Sequence, residues 1–331
     1  DAVAKIKEFE DKVSAKKATV IGVSSEKLGH NRIPGDKRDG VSILPLGSDI
    51  APIVAKSFYD LSNLADACIQ NAGGVRVAVE AGNITIGDAY TLLPFSNTLF
   101  EIKMTGREIK QVLEDALNAT YAVGGSTGSF PYSYGLKYDI NVSLGNNNRI
   151  SNLEIKDRKT GVWGNIEAGK MYTIVTNSFT AGGKDGYVTF KTVQDQRGKG
   201  VDTYLDYAMS YVKYVESKTA NKENVTKLPQ IDHPIKSYKD ANGNVIPSAD
   251  ITAPILQSAN ISNDGLSIVL TYSENLTGSV SSSDYSISNI AISNATISGK
   301  TVTLSVSSAI VNGTTIGQIT YNGTTLSDAS G

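Results

Sequence analysis

The sequence predicts an α+β protein with mixed sheets and flanking helices, followed by a small all-β sandwich. Three observations carry that expectation. Up to about residue 217, apolar stripes of helical period alternate with short runs rich in β-formers. Residues 218–250 then lose periodicity and gather Lys, Asn, Asp and Pro, as a linker does. From Ile251 to Gly331 aromatics become rare and Ser, Thr and Asn dominate. Short strands recur there between turn residues, as in a sandwich.

Length and composition bound the class. A chain of 331 residues is too long for one small core and fits about two domains. The 31 Lys and Arg against 33 Asp and Glu leave a net charge of −2, so bulk charge gives no reason to expect nucleic-acid or membrane-surface binding. No apolar run is long enough to span a bilayer, so no transmembrane segment is expected. The single cysteine, Cys68, excludes an intrachain disulfide framework and a Cys-rich metal site. The two histidines, His30 and His233, are too few and too far apart in sequence for a His-rich catalytic metal centre, so no metal ligands are assigned.

Taken in order, Val3, Ile6, Phe9 and Val13 fall on one face of a helix over residues 1–14, with charges opposite. The chain enters this helix without a cap, as if cut within a linker. Thr19 to Val23 reads as a strand, and residues 24–40 as a charged loop holding His30, Arg32, Lys37 and Arg38. Ser48 or Asp49 caps the next helix, with Pro52 in its first turn and Val54, Phe58, Leu61 and Ala65 on its inner face. Ala67 to Gln70 is a strand, Ile84 to Asp88 a turn or short helix, and Leu99 to Met104 another strand. Thr105 and Glu108 have capping-box spacing ahead of the stripe Ile109, Val112, Leu113, Ala116 and Leu117. Residues 121–135 read as a loop. Leu136, Tyr138, Ile140 and Val142 alternate as a half-buried strand, and Leu153 to Ile155 and Met171 to Thr176 are further strands. A helix near 202–216 has Leu205, Met209, Val212 and Val215 as its spine. In the last region, strands are expected at Gly265 to Tyr272, Ser286 to Ile292, Thr301 to Val306 and near Ile319 to Tyr321.

Three glycine- or turn-bearing corners hold the groups that could carry chemistry. In Asn71-Ala72-Gly73-Gly74-Val75-Arg76, Gly73 and Gly74 allow a tight turn and close approach of a ligand, while Asn71 and Arg76 offer an amide and a guanidinium. Leu93-Pro94-Phe95-Ser96-Asn97 and Ser178-Phe179-Thr180-Ala181-Gly182-Gly183-Lys184-Asp185-Gly186-Tyr187 each place a Phe outside any strand pattern. Phe95 and Phe179 either fold back onto the core or stack on a flat ligand such as a nucleobase. Asp185 is either a turn residue or an acceptor for ribose hydroxyls. Gly124-Gly125-Ser126-Thr127-Gly128 matches the serine-hydrolase elbow in letters, but a helix precedes it where a strand is needed. Gly182-Gly183-Lys184 is followed by Asp and so is not a phosphate-binding P-loop.

In order and spacing, these three stretches resemble the signatures of the C-terminal domain of 5′-nucleotidases, a family that includes UDP-sugar hydrolases and 2′,3′-cyclic phosphodiesterases. Met104-Thr105-Gly106-Arg107-Glu108 matches between them, and the likeness covers roughly residues 18–217. The resemblance implies the layered fold of that domain, preceded by a connecting helix over 1–17. It implies a secreted bacterial hydrolase of nucleotide phosphate esters such as AMP, whose missing N-terminal metallophosphoesterase domain carries two divalent metal ions and the catalytic histidine. This chain then has no catalytic residue and no cofactor of its own, and binds without turnover. Carried over by position, Phe95 and Phe179 sandwich the base and Asp185 holds the ribose hydroxyls. Asn71 contacts base or ribose, Arg76 ribose or phosphate, and Asn97 is a further candidate. The family's Arg ahead of its Leu-Gly-Asn segment falls on Gly40, ahead of Pro45-Leu46-Gly47-Ser48, with Arg38 close enough to substitute. Ala72 and Lys184 stand where Gly is usual. Thr252-Ala253-Pro254 followed by Ser267 to Glu274 resembles bacterial immunoglobulin-like modules of secreted or wall-associated proteins, which implies an extracellular or cell-wall location. The competing readings are a non-enzymatic surface or adhesive protein with a degenerate nucleotidase-like domain, and a binder of sugar fragments through the same aromatic pair.

Overall fold

The computed structural model describes residues 2–35, 46–246, 254–323 and 326–328. It divides into two units, Asp1–Ser248 and Ala249–Gly331.

Helix α1 (Ala2–Lys17) opens the first unit, with Val3, Ile6 and Phe9 each more than half exposed. Strand β1 (Val20–Ser24) follows, then α2 (Ile50–Leu61). The α2 cap is Ser48, whose Oγ accepts the Ala51 N–H at 2.9 Å, while Asp49 turns its carboxylate to the Gly29 N–H. Next come β2 (Ala67–Asn71), β3 (Gly82–Thr85), α3 (Ile86–Leu92) and β4 (Thr98–Thr105). Helix α4 (Gly106–Tyr121) starts in the expected capping box. Thr105 N–H donates to Glu108 Oε2 at 2.8 Å and Glu108 N–H to Thr105 Oγ1 at 3.3 Å. Such a cap contributes about 1 kcal/mol. The stripe Ile109, Val112, Leu113, Ala116 and Leu117 is wholly buried, which sets the inner face of α4.

The chain continues through β5 (Pro131–Tyr134), β6 (Leu136–Asn141), β7 (Ile150–Lys156), β8 (Trp163–Asn165) and β9 (Met171–Asn177). Then come α5 (Ser178–Ala181), α6 (Val188–Arg197), β10 (Val201–Asp206), α7 (Tyr207–Ala220), β11 (Ile235–Lys239) and β12 (Val245–Ile246). One five-stranded sheet has the order β10-β4-β9-β2-β5 and another the order β12-β11-β6-β7-β8, while β1 and β3 form a separate pair. One continuous apolar core, with Phe58, Ile69, Phe130, Tyr138, Tyr187 and Tyr211 in its interior, joins these elements.

Strand direction in the first sheet organises the site. Strand β2 runs parallel to β9, and both are antiparallel to their other partners, β5 and β4. The carboxyl ends of β2 and β9 therefore meet the amino ends of β4 and β5. Leu99 pairs with Asn177 and Asn71 with Pro131 at that end of the sheet. Four loops consequently leave one edge side by side: 72–76, 93–97, 126–130 and 178–187.

Several expectations need correction. Residues 121–135 are not all loop, because β5 pairs with β2 and its four residues are buried. Residues 202–206 belong to β10, so the helix expected near 202 begins at Tyr207. Strand β8 and helix α6 were not expected. Residues 218–250 are not simply a linker, since β11 lies parallel to β6 and carries β12 on its outer side. His233, within that stretch, is buried, its Nδ1 accepts the Ile235 N–H, and burial holds its pKa down at about 4.

The second unit is all-β. It contains β13 (Leu256–Ile261), β14 (Ser267–Tyr272), β15 (Leu276–Thr277), β16 (Tyr285–Ile287), β17 (Ile292–Ser298), β18 (Thr301–Val306), β19 (Ile319–Tyr321) and β20 (Ser327–Asp328). A four-stranded sheet of order β13-β14-β18-β17 accompanies the pairs β15-β20 and β16-β19. Its core is built from alternate residues such as Ile268, Leu270, Val302 and Leu304. The single strand expected over 286–292 is two strands, β16 and β17, separated by a turn in which Asn289 takes a left-handed φ of 65°.

Candidate functional site

A cavity of about 290 Å³ lies at the sheet end where the four loops converge. Asn71, Gly73, Gly74, Arg76, Phe95, Asn97, Phe179 and Asp185 all line it. Eight of the nine binding residues expected from sequence are thus brought together; the ninth, Arg38, lies outside the described residues, as do Gly40 and Pro45.

Each corner has a physical reason to hold its shape. The 72–74 segment makes one 3-10 turn directly off β2, and the Ala72 N–H donates to Phe130 O at 2.9 Å. That bond brings the 126–130 loop so close that a Cβ on Gly73 would sit 3.0 Å from Gly128 Cα. A side chain at 73 would push the two backbones apart by a few tenths of an ångström. Arg76 folds back over the turn, donating from Nη1 to Gly73 O at 3.0 Å, with its guanidinium 5.7 Å from the Phe95 ring centroid. The Phe95 N–H donates to Tyr207 Oη at 3.0 Å, and the Tyr207 N–H donates to Asn97 O at 3.1 Å. Burial pushes the Tyr207 phenol up to about 12, so it stays a neutral partner at physiological pH. The Ser178 hydroxyl accepts the Thr98 N–H at 3.1 Å, tying the second corner to the third.

The two rings are the exposed apolar groups of the site: Phe95 is 46% and Phe179 43% solvent-accessible. Neither folds back onto the core, which removes the first of the two readings left open for them. Asp185 takes a left-handed φ of 53° between Gly183 and Gly186, a conformation Asp tolerates better than most residues. Its Oδ2 accepts the Asn71 Nδ2–H at 2.7 Å. A half-exposed aromatic pair, a carboxylate oriented by an amide and a guanidinium therefore face one space. That set can stack a flat ring, accept hydrogen bonds from vicinal hydroxyls and attract an anion.

Arg32, Ser126 and Gly128 also line the cavity and were not expected there. In sequence the Gly124 to Gly128 run reads as part of a loop and matches only a hydrolase elbow. Its signal was glycine density beside a strand too rich in Pro, Ser and Tyr to read as one. Tyr207 is a further supporting residue off the expected spine: it is buried, whereas Leu205 and Met209 of that spine are exposed. Among the described residues no three His, Cys, Asp or Glu side chains gather as a metal site, and no helix is long and apolar enough to cross a membrane. Among the described lining residues one carboxylate, Asp185, stands with two guanidiniums, Arg32 and Arg76, a set that does not suit a cation.

Comparison with known proteins gives this geometry a family. The model described as "5′-nucleotidase, C-terminal domain" matches residues 21–192, just over half of the chain. The NAD 5′-nucleotidase of Haemophilus influenzae is 41% identical over 217 residues, covering 65% of this chain and 35% of the relative. A probable 5′-nucleotidase of Treponema pallidum is 37% identical over 226 residues, covering 65% and 36%. The solved structure of the Haemophilus influenzae NAD nucleotidase superposes with a TM-score of 0.61 at 36% identity, covering 72% of this chain and 41% of that one. The chain thus spans about a third of the length of the curated relatives it matches. The family model ends within α6, and all three sequence corners that meet in the cavity fall inside it: this chain belongs to the 5′-nucleotidase C-terminal domain family.

Proposed function

We propose that the cavity binds the nucleoside part of a nucleotide such as AMP, and that the chain is the substrate-binding part of a 5′-nucleotidase-type phosphohydrolase. The observation that carries this reading is the pair of half-exposed rings, Phe95 and Phe179, at the same cavity as Asp185 and Arg76. A purine slots between the rings, the ribose hydroxyls donate to Asp185, and Arg76 faces the phosphate side. Exposed Phe rings lose nothing by this and gain about 1–3 kcal/mol per stacked base.

The hydrolytic step belongs to a metallophosphoesterase domain outside these 331 residues, where two divalent ions would activate a water. Nothing in this cavity is asked to ligate those ions or deprotonate that water. This chain's contribution is orientation: it fixes base and ribose so that the ester is presented in one pose. The chain alone is expected to bind without turnover. The Ser- and Thr-rich all-β unit supports an immunoglobulin-like module and a location outside the cytoplasm, and the lone buried Cys68 is compatible with it.

Calorimetric titration tests the reading with three ligands: AMP, adenosine and ribose 5-phosphate. AMP and adenosine are expected to bind, with ribose 5-phosphate weaker than AMP by at least about ten-fold for want of a base to stack. Ribose 5-phosphate binding as well as AMP would contradict the stacking assignment.

A further inference from the structure

Behind the cavity wall Asn71 continues into a buried row of amides, whose other two members, Gln70 and Asn177, the sequence does not single out. Gln70, Asn71 and Asn177 are each no more than 3% exposed. The Asn177 Nδ2 group donates to Gln70 Oε1 at 2.8 Å and to Asn71 Oδ1 at 3.0 Å. Gln70 Nε2 donates to Asn71 O at 3.1 Å and to Asn71 Oδ1 at 3.3 Å. Asn71 Nδ2 in turn donates to Asp185 Oδ2.

The direction of every bond in this row follows from its two ends. At the inner end the Thr180 backbone N–H, which can only donate, bonds Asn177 Oδ1 at 3.0 Å as the cap of α5. Asn177 must therefore present its NH2 to Gln70 and Asn71. At the outer end the Asp185 carboxylate, when ionised, can only accept, so Asn71 must present its NH2 outward. Its Oδ1 is then turned inward, where Gln70 and Asn177 both supply donors. Donor and acceptor agree at each junction, with no amide left to flip. The row also explains a glycine: a Cβ on Gly74 would run into Gln70 Nε2 and lie 2.9 Å from Asn71 Oδ1.

We infer that Gln70 and Asn177 are positioning residues for ribose recognition. They lock Asn71 in the one orientation that donates to Asp185, which holds the Asp185 carboxylate in place as the acceptor for the ribose hydroxyls. Neither residue touches the ligand; they act through Asn71. The inference rests on the nucleoside-binding reading above. It adds that discrimination for ribose hydroxyls is set two residues behind the carboxylate that meets them.

Asn177→Asp is the sharpest test, because it keeps an oxygen for the Thr180 N–H and replaces the NH2 by a second oxygen. With the new carboxylate ionised, at a pH well above the carboxyl range, Gln70 turns its own NH2 toward residue 177 and presents Oε1 to Asn71. Asn71 in turn presents Oδ1 toward Asp185, where oxygen faces oxygen. Gln70→Met, similar in length and without donors, weakens the same lock with less disturbance. The readout is the ratio of Kd for 2′,3′-dideoxyadenosine to Kd for adenosine. Hydrogen bonds to a charged acceptor set this ratio at about ten-fold or more in the wild-type chain. In both variants it is expected to fall to about three-fold or less, while dideoxyadenosine itself binds within about two-fold of wild type because stacking is untouched. A ratio unchanged in the folded variants overturns the relay and leaves the nucleoside reading standing. Wild-type protein that binds neither nucleoside overturns the nucleoside reading and, with it, this role for Gln70 and Asn177. If Asn177→Asp does not fold, Gln70→Met carries the test. A further check needs no variant: the Asn71 side-chain amide resonance is expected to shift when adenosine is added, and a resonance that stays put overturns the relay.

Discussion

Replacing Phe179 by Ala separates binding from stability. The ring is 43% exposed, so truncation forfeits only about half of a Phe side chain's burial, roughly 1–1.5 kcal/mol against the folded state. The same ring, stacked on a base, contributes about 1–3 kcal/mol to binding, which is about 5- to 150-fold in Kd. Calorimetric titration of wild type and Phe179→Ala with AMP, beside chemical denaturation of both, reads the two quantities independently. Affinity is expected to fall at least five-fold, by the lower end of that stacking range, while most of the unfolding free energy is retained. Phe95→Ala is expected to act in the same direction and also to remove the ring that the Arg76 guanidinium faces at 5.7 Å, leaving its bond to Gly73 O. Equal AMP affinity in wild type and Phe179→Ala would refute the stacking argument. A large loss of stability would mean that the covered part of the ring contributes more to the fold than its exposure indicates.

Two further outcomes test how the site's scaffold is held. Burial depresses the His233 pKa from 6.5 to about 4, so the folded state resists a proton that the unfolded chain accepts. The stability this contributes is complete above pH 6.5 and is lost as pH falls toward 4, about 2 kcal/mol by pH 5. Urea unfolding at pH 7 and pH 5 reads it, and a loss equally large in His233→Gln would mean that other groups carry the slope. Arg158 donates to Tyr59 O at 3.2 Å and to Ala65 O at 2.6 Å, with its guanidinium 4.1 Å from the Tyr59 ring centroid. Arg158→Ala is expected to cost about 2 kcal/mol of stability, from the two charge-assisted bonds and the stacked cation, while leaving AMP affinity unchanged. A cost below about 0.5 kcal/mol would place it with ordinary surface residues.

What was legible from sequence follows from where the physics is local. Helix α4 was readable because its cap and its five-residue stripe lie within one stretch of chain. The cavity was largely readable because its three corners carry residues that are odd in their setting: two Phe outside any strand, and an Arg and an Asp beside glycines. Strand β5 was not readable, because Pro131-Tyr132-Ser133-Tyr134 is only four residues long, begins with Pro and follows a Gly- and Ser-rich run. All four residues are buried by tertiary contacts that local pattern does not encode. Strand β11 was hidden for a related reason: its register against β6 spans about a hundred residues of sequence, and its flanks are rich in Lys, Asp and Pro. The amide row was invisible because Gln70 and Asn177 look like ordinary strand ends until β2 and β9 are laid side by side.

The central claim is that this cavity holds a nucleoside between Phe95 and Phe179 with its ribose on Asp185. The most direct measurement is a crystal structure of the chain grown with adenosine. Adenine density between the two rings, with ribose oxygens within hydrogen-bond distance of the Asp185 carboxylate, is the expected result. An adenosine seated elsewhere, or one in this cavity with its base away from both rings, would contradict the claim.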